Sequence, residues 1–245
     1  MKVATGVEMI TLEAEAFGGK IAIHPTLLWN EQMAVLVDTG MPGSWELIRA
    51  AMIEAGVSPE KLKAVIITHQ DIDHIGSLPE IVRALDGQIE VYAHELDQPY
   101  IEGKLPLFKT NPERMAAMLA SLPEEERQKL QAVFANSPKA KVDKIVADGE
   151  VLPILGGIRV IHTPGHTPGH ISLYLQDSKT LIAGDAMVYT GGALRGPVPQ
   201  STLDMETALQ SLKKLQDTNI QAVICYHGGL CEDNAEEQLQ ALIQA

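Results

Sequence analysis

Thr68-His69-Gln70-Asp71-Ile72-Asp73-His74-Ile75-Gly76 places two imidazoles and two carboxylates within six positions. Imidazole nitrogen and carboxylate oxygen are the donors that hold divalent first-row metal ions. A polar loop that caps the next helix would account for one Asp, but not for this set. Three further segments carry the same chemistry. Val160-Ile161-His162-Thr163-Pro164-Gly165-His166-Thr167-Pro168-Gly169-His170 holds three His in a Pro/Gly-rich loop. Leu181-Ile182-Ala183-Gly184-Asp185 ends in a carboxylate, and Ala222-Val223-Ile224-Cys225-Tyr226-His227 ends in an imidazole. A metal ion held by such groups lowers the pKa of coordinated water from ~15.7 toward neutrality, which is hydrolytic chemistry.

Each cluster follows a short apolar run. Ala64-Val65-Ile66-Ile67, preceded by Lys63, reads as a buried strand. In open α/β folds functional groups gather outside the C-terminal ends of strands, where the chain opens into loops. A core strand gains nothing from a charged terminus, so four such endings argue for a site. Two similar halves position them. The first predicts extended segments near 6–13, 20–29 and 32–37, a helix near 44–55, a strand near 63–68, a helix near 77–85 and a strand near 89–93. The second predicts strands near 151–154, 158–162, 171–176 and 180–183, a helix near 205–217, a strand near 221–226 and a closing helix. Asp204 is the expected N-cap of the 205–217 helix, with Met205, Leu209, Leu212 and Leu215 on one face. Between the halves, 95–144 breaks the pattern: Met115, Met118, Leu119 and Leu122 form one apolar stripe, and Leu130, Val133 and Phe134 another. Such stripes pack as a helical hairpin or roof a site as an adaptable lid.

The ordered motifs, from about Thr26 to Gly229, resemble the metallo-β-lactamase-fold hydrolases, a superfamily that includes glyoxalase II and the metal-dependent acyl-homoserine lactonases. Its usual signature is Thr-His-x-His-x-Asp-His, then Pro-x-His-Thr-x-Gly-His, then Gly-Asp, then a late His. The resemblance implies a four-layer αββα sandwich, read here as a single domain over 1–245 with a helical lid at about 95–144. It also implies that His69, Asp71 and His166 hold one metal ion, that Asp73, His74 and His227 hold a second, and that Asp185 bridges both. His170 and Asp38 would support neighbouring groups. Asp73 is the expected proton shuttle, and Tyr189, one position off the lactonase pattern, would touch the substrate carbonyl.

Asp71 departs from the signature, which has His there. Five neutral His and two Asp carry −2 against +4 from two divalent ions; four His and three Asp carry −3. With a bridging hydroxide the total falls to about zero, where the usual site keeps about +1. An oxygen donor favours harder ions such as iron or manganese more than imidazole does, but the rest of the set resembles the zinc-type pattern, so zinc is expected, with iron or manganese as alternatives.

The 245 residues suit one large core, 45% of them hydrophobic but only 4% aromatic. A net charge of −13 argues against a nucleic-acid partner. No run approaches a membrane span, and without an apolar leader a cytoplasmic location is expected. Cys225 and Cys231 read as buried hydrophobes more readily than as ligands. His24, His94 and His162 read as local hydrogen-bonding groups, and Arg195 as a turn residue able to meet a carboxylate. The function expected is a dinuclear metal-dependent hydrolase that uses a metal-bridging hydroxide on a small ester, thioester or lactone with an apolar part. Uncharged acyl substrates should exceed phosphodiesters. The alternatives are an iron-dependent oxygen or sulfur redox enzyme, prompted by Asp71, and a non-catalytic metal-bearing binding or sensor protein.

Overall fold

Along the strands Ala34–Val37 and Leu62–Ile66, successive side chains enter two different cores. Ala34, Leu36 and Val65 pack with Trp45, Ile48, Met52, Leu78 and Ile81, which come from the helices Trp45–Glu54 and Leu78–Ala84. Val35, Val37, Ala64 and Ile66 pack the opposite way, against Val160, Leu173, Ile182 and Ile224 of a second sheet. That sheet alternates too. Its Ile161, Leu181, Val223 and Cys225 face outward onto Leu212, Leu215 and Leu239. The period-2 alternation of strands buried on both faces therefore builds helix, sheet, sheet and helix in that order, the four layers expected. The computed structural model describes residues 1–16, 19–110, 120, 123–125, 127–128, 136–216 and 218–244.

The first sheet runs in the order Lys2–Ala4, Val7–Met9, Thr26–Trp29, Ala34–Val37, Leu62–Ile66, Glu90–His94 and Lys144–Val146. Its last four strands are mutually parallel. The second runs Val151–Leu152, Ile158–His162, Ile171–Leu175, Thr180–Gly184, Ala222–Cys225 and Gly229–Cys231, with Thr180–Gly184 parallel to Ala222–Cys225. Parallel strands share a C-terminal edge, and the chemical residues leave from that edge in both sheets.

Several sequence expectations need correction. The segments near 6–13 and 20–29 each split in two, because Leu12–Ala16 and Gly19–Ile23 leave the first sheet as a separate hairpin. The split falls at Pro25, which has no N–H to give a ladder, while its carbonyl still accepts from Ile10 N at 2.9 Å. The helix capped by Asp204 is α-helical only over Met205–Ser211 and continues as a 3-10 turn, Leu212–Leu215. Leu209 is 47% exposed, off the expected apolar face. Ala208 and Ser211 are buried instead, because the backbone of the His166 loop lies against Ala208. A Cβ on Gly165 would come within 2.3 Å of Ala208 N, so this contact sets the helix rotation. The stretch after Asp185 forms a hairpin, Val188–Thr190 with Ala193–Arg195, turning at Gly191-Gly192. Within 95–144 the structure describes the helix Gln98–Ile101, the 3-10 turn Phe108–Thr110 and the chain from 136 onward. The stripe residues Met115, Met118, Leu119, Leu122, Leu130, Val133 and Phe134 lie outside the described residues. Among the described residues no helix is long and apolar enough to cross a membrane.

Candidate metal centre

Backbone hydrogen bonds join the two sheets where their working edges meet. Ile171 N donates to Thr68 O at 3.0 Å, and the separate hairpin joins the same region where Ile23 bridges His227 in antiparallel fashion. The seven residues expected to hold metal converge there. The donor atoms of His69, Asp71, His166 and Asp185 all lie within 4.8 Å of one another, and so do those of Asp73, His74 and His227. In the first group, Asp71 Oδ2 is 3.1 Å from His69 Nε2 and 3.0 Å from His166 Nε2. Asp185 reaches both groups: Oδ2 is 3.3 Å from His166 Nε2 and 3.4 Å from His227 Nε2, while Oδ1 is 3.3 Å from His74 Nε2. Asp73 Oδ2 is 3.3 Å from His227 Nε2.

These spacings suit a metal ion. Donors about 2.0 Å from a tetrahedral centre stand about 3.3 Å apart. His69 Nε2, His74 Nε2 and Asp185 Oδ1 are also buried without a hydrogen-bond partner among the described residues. Unsatisfied buried polar atoms are costly and rare, and three of them within the two donor groups are what bound cations would satisfy.

The surrounding groups orient these donors. Asp38, in a left-handed conformation at φ 61°, accepts from Thr68 N, Thr68 Oγ1 and His74 Nδ1, each at 2.8 Å. Having donated to Asp38, the Thr68 hydroxyl accepts from His69 Nδ1 at 3.0 Å. Both His69 and His74 therefore carry a proton on Nδ1 and turn Nε2 inward, where a metal would meet it. His170 behaves as expected of a supporting group. Its Nε2 accepts from Asp185 N at 2.9 Å and its Nδ1 lies 3.1 Å from Thr163 O. A Cβ at residue 184 would stand 2.7 Å from His170 Nε2, which is why glycine precedes Asp185. His162 Nε2 meets Pro168 O at 2.8 Å and its ring stacks on His94 at 4.0 Å, away from the centre. His24 Nδ1 lies 3.3 Å from Thr11 Oγ1. Tyr189 is joined to the centre through backbone, its N donating to His227 O at 3.2 Å. Arg195 is exposed, and both cysteines are free and buried.

Three residues at the centre escaped the sequence reading. Asp97 is buried and accepts three hydrogen bonds: Gln70 N at 2.9 Å and Thr167 Oγ1 at 2.8 Å on Oδ2, and Gly169 N at 2.8 Å on Oδ1. It ties the His69–Asp71 loop to the His166 loop. Its signal was available, because it too follows the C-terminal end of a parallel strand, Glu90–His94. Tyr226 donates its hydroxyl to Asp73 O and lies over the His74 ring, centroids 3.7 Å apart. Lys109 contacts Asp71 Oδ2 and stands 2.8 Å from His166 Nε2. No local pattern marks a lysine of the 95–144 insertion as a neighbour of Asp71.

The electrostatics divide the centre. Burial, then neighbouring His74, pulls the His69 imidazole down to about 4, so it is neutral at pH 7. Burial works against ionisation of Asp71, but Lys109 and then His69 hold its carboxyl well below the usual range. Burial likewise opposes charge on Asp185, yet His227, His74 and His166 hold it well below normal. In the other group burial is outweighed in the opposite sense. Asp38, Asp185 and Asp73 push His74 well up, and Asp185 with Asp73 raises His227 to about 10. Without a metal, those two imidazoles hold protons against the surrounding carboxylates.

A four-layer αββα fold with His and Asp donors gathered at the shared strand edge defines a class of metallo-hydrolases. The chain belongs to the metallo-beta-lactamase superfamily, whose family model matches residues 18–227. It is 34% identical over 208 residues to the probable metallo-hydrolase YflN of Bacillus subtilis, covering 79% of this chain and 75% of that one. It is 29% identical over 198 residues to an N-acyl homoserine lactonase of a Bacillus species, covering 78% of this chain and 74% of that protein. In structure it is similar to a metallo-beta-lactamase family protein of Thermus thermophilus, with a TM-score of 0.74 at 22% identity over 99% of this chain and 80% of that one. The protein is a metal-dependent hydrolase.

Proposed function

We propose that this hydrolase is dinuclear and cleaves a small ester, thioester or lactone. The observation that carries the reading is Asp185, whose two oxygens face His166 and His227 on one side and His74 on the other. His69, Asp71, His166 and Asp185 would hold one ion, and Asp73, His74 and His227, with Asp185 shared, the other. Zinc is the first choice, and iron or manganese the alternatives favoured by Asp71. When bound, the ions supply Lewis acidity and a water made acidic enough to attack at neutral pH. The chain supplies the remaining functions. Asp73 is the carboxylate of the centre most open to solvent, its side chain 22% exposed against 7% for Asp71 and 9% for Asp185. Burial opposes its ionisation, but His74 and His227 keep it a carboxylate, so Oδ2 can take a proton from the attacking water and pass it to the leaving group. Tyr189, joined through its N–H to His227 O, would orient the substrate carbonyl. Of the 95–144 insertion read as a lid on a single domain, the described turn Phe108–Thr110 reaches the centre through Lys109.

Metal analysis combined with a substrate screen tests this. About two ions per chain are expected, with chelator-sensitive hydrolysis of carbonyl esters or lactones well above that of phosphodiesters. One ion at full occupancy in metal-replete protein would reject the dinuclear centre. No turnover of any ester, thioester or lactone with replete zinc, manganese or iron would move the assignment to redox or sensor chemistry.

A further inference from the structure

Lys109 is the one lysine or arginine among the described residues that forms an ion pair with the seven-residue donor set. Its ammonium contacts Asp71 Oδ2 and stands 2.8 Å from His166 Nε2. Those two atoms also face the interior of the first group, 3.0 Å from each other. A divalent ion and an ammonium cannot both use them, since two cations repel and a ring nitrogen has a single lone pair to give. A metal ion therefore displaces the ammonium from His166.

The displaced ammonium stays close to the centre, because its backbone is anchored on both sides. Phe108 N donates to Gln70 Oε1 at 2.8 Å, Gln70 N donates to Asp97 Oδ2 at 2.9 Å, and the Phe108 ring stacks on Tyr100 at 4.4 Å. Thr110 closes the turn through its hydroxyl to Leu107 O at 2.8 Å. The Lys109 side chain is 27% exposed while that of His166 is 1% exposed, so the ammonium sits on the solvent side of the donor set. An ammonium has three donors, and Asp71 does not exhaust them.

We propose that Lys109 is a substrate-binding residue that selects acyl substrates carrying a carboxylate besides the scissile ester, thioester or lactone. This rests on the hydrolase reading above and amends its expectation of uncharged substrates. The charge count gives the reason. With Asp71 in place of an imidazole, two divalent ions and a hydroxide leave the donor set at about zero, so the ions alone no longer draw an anion. The chain's net charge of −13 repels one at long range, but ions in solution screen that field beyond about 8–10 Å. An anionic group of the substrate would then be drawn by a cation beside the donor set, and Lys109 is the lysine placed there.

The test compares p-nitrophenyl hemiglutarate with p-nitrophenyl pentanoate, which have the same acyl length with and without a carboxylate. The ratio of kcat/KM for the anionic ester over the neutral one should fall about tenfold or more in Lys109→Gln, as expected for loss of a hydrogen bond to a charged group. The loss should appear mainly in KM, and Lys109→Arg should keep the ratio within about threefold. Metal content is measured on each variant, so the ratio is read at matched loading. A second readout needs no turnover. Calorimetry on metal-loaded protein should show glutarate binding more tightly than pentanoate to wild type and to Lys109→Arg, with the preference lost in Lys109→Gln. An unchanged ratio, or equal binding of the two acids to wild type, overturns the assignment. If wild type cleaves neither ester, the hydrolase reading is what fails, and calorimetry still decides whether Lys109 holds a carboxylate.

Discussion

The two donor groups share Asp185, yet they are built differently. His69, Asp71 and His166 are closed in by protein, and Asp97 braces the loops that carry them. Asp73 and His227 are half open, and the imidazoles of their group are held protonated by carboxylates. The closed group presents donors with His69 already deprotonated, under a lysine. The open group must give up protons before it can hold an ion. The proposed dinuclear site would thus combine a preassembled half with a half whose occupancy follows pH.

The largest effect should come from the residue common to both. Asp185→Ala is expected to take metal content from about two ions per chain to near zero. Retention of one ion would mean that the two halves do not depend on a shared carboxylate. Asp97→Asn should separate them. All three groups that Asp97 accepts from are donors, so an amide must turn its own N–H against at least one of them. Loss of such a supporting contact lowers metal affinity by about 10- to 100-fold. The expected result is one ion lost from the His69–Asp71–His166 group while the other stays, read by stoichiometry and by the spectrum of the cobalt-substituted protein. Equal loss from both groups would reduce Asp97 to general scaffolding.

Acidity offers a third test. His227 keeps its proton up to about 10 in the metal-free protein, and loading must expel it. A proton bound with a raised pKa competes with the metal below that pKa, so affinity falls as pH falls. Between pH 6.5 and 9.5 the affinity of the open group should rise about tenfold per pH unit for each proton expelled. His69, lowered to about 4, is not a competitor in that window, so the closed group should change far less. Chelator competition at several pH values would resolve two slopes; a single common slope would contradict the division. The smallest effect concerns Asp71. Asp71→His should raise the ratio of bound zinc to bound iron or manganese a few-fold under matched competition. Combined with Lys109→Met, it should show non-additive metal affinities, because removing either partner leaves the other without its countercharge.

Much of this arrangement was readable from residue order. Apolar runs ending in His or Asp marked the four segments, because a buried strand ends abruptly and its last polar residue is conspicuous, and the family resemblance singled out seven candidate donors within them. The layers followed from the family resemblance, whereas Leu209 was misplaced because helical spacing cannot register a contact as local as Gly165 on Ala208. The hairpin after Asp185 escaped because its strands are three residues each, too short for a periodic signal. Lys109 and Tyr226 escaped for a different reason. Their roles arise from contacts across 38 and 153 residues of chain, which no local pattern encodes.

The donors are divided between the two sheets: His69, Asp71, Asp73 and His74 come from the first, His166, Asp185 and His227 from the second. Ions held here would therefore clasp the two halves of the chain, closing loops as long as the one from His69 to His166. A cross-link of that kind removes freedom from the unfolded chain, as a disulfide does, but it is reversible and its strength is set by the free metal concentration. The melting temperature should accordingly climb with added metal. In metal-poor conditions the seam between the sheets, marked by the amide of Ile171 on Thr68 O, should exchange its hydrogen sooner than the strand interiors.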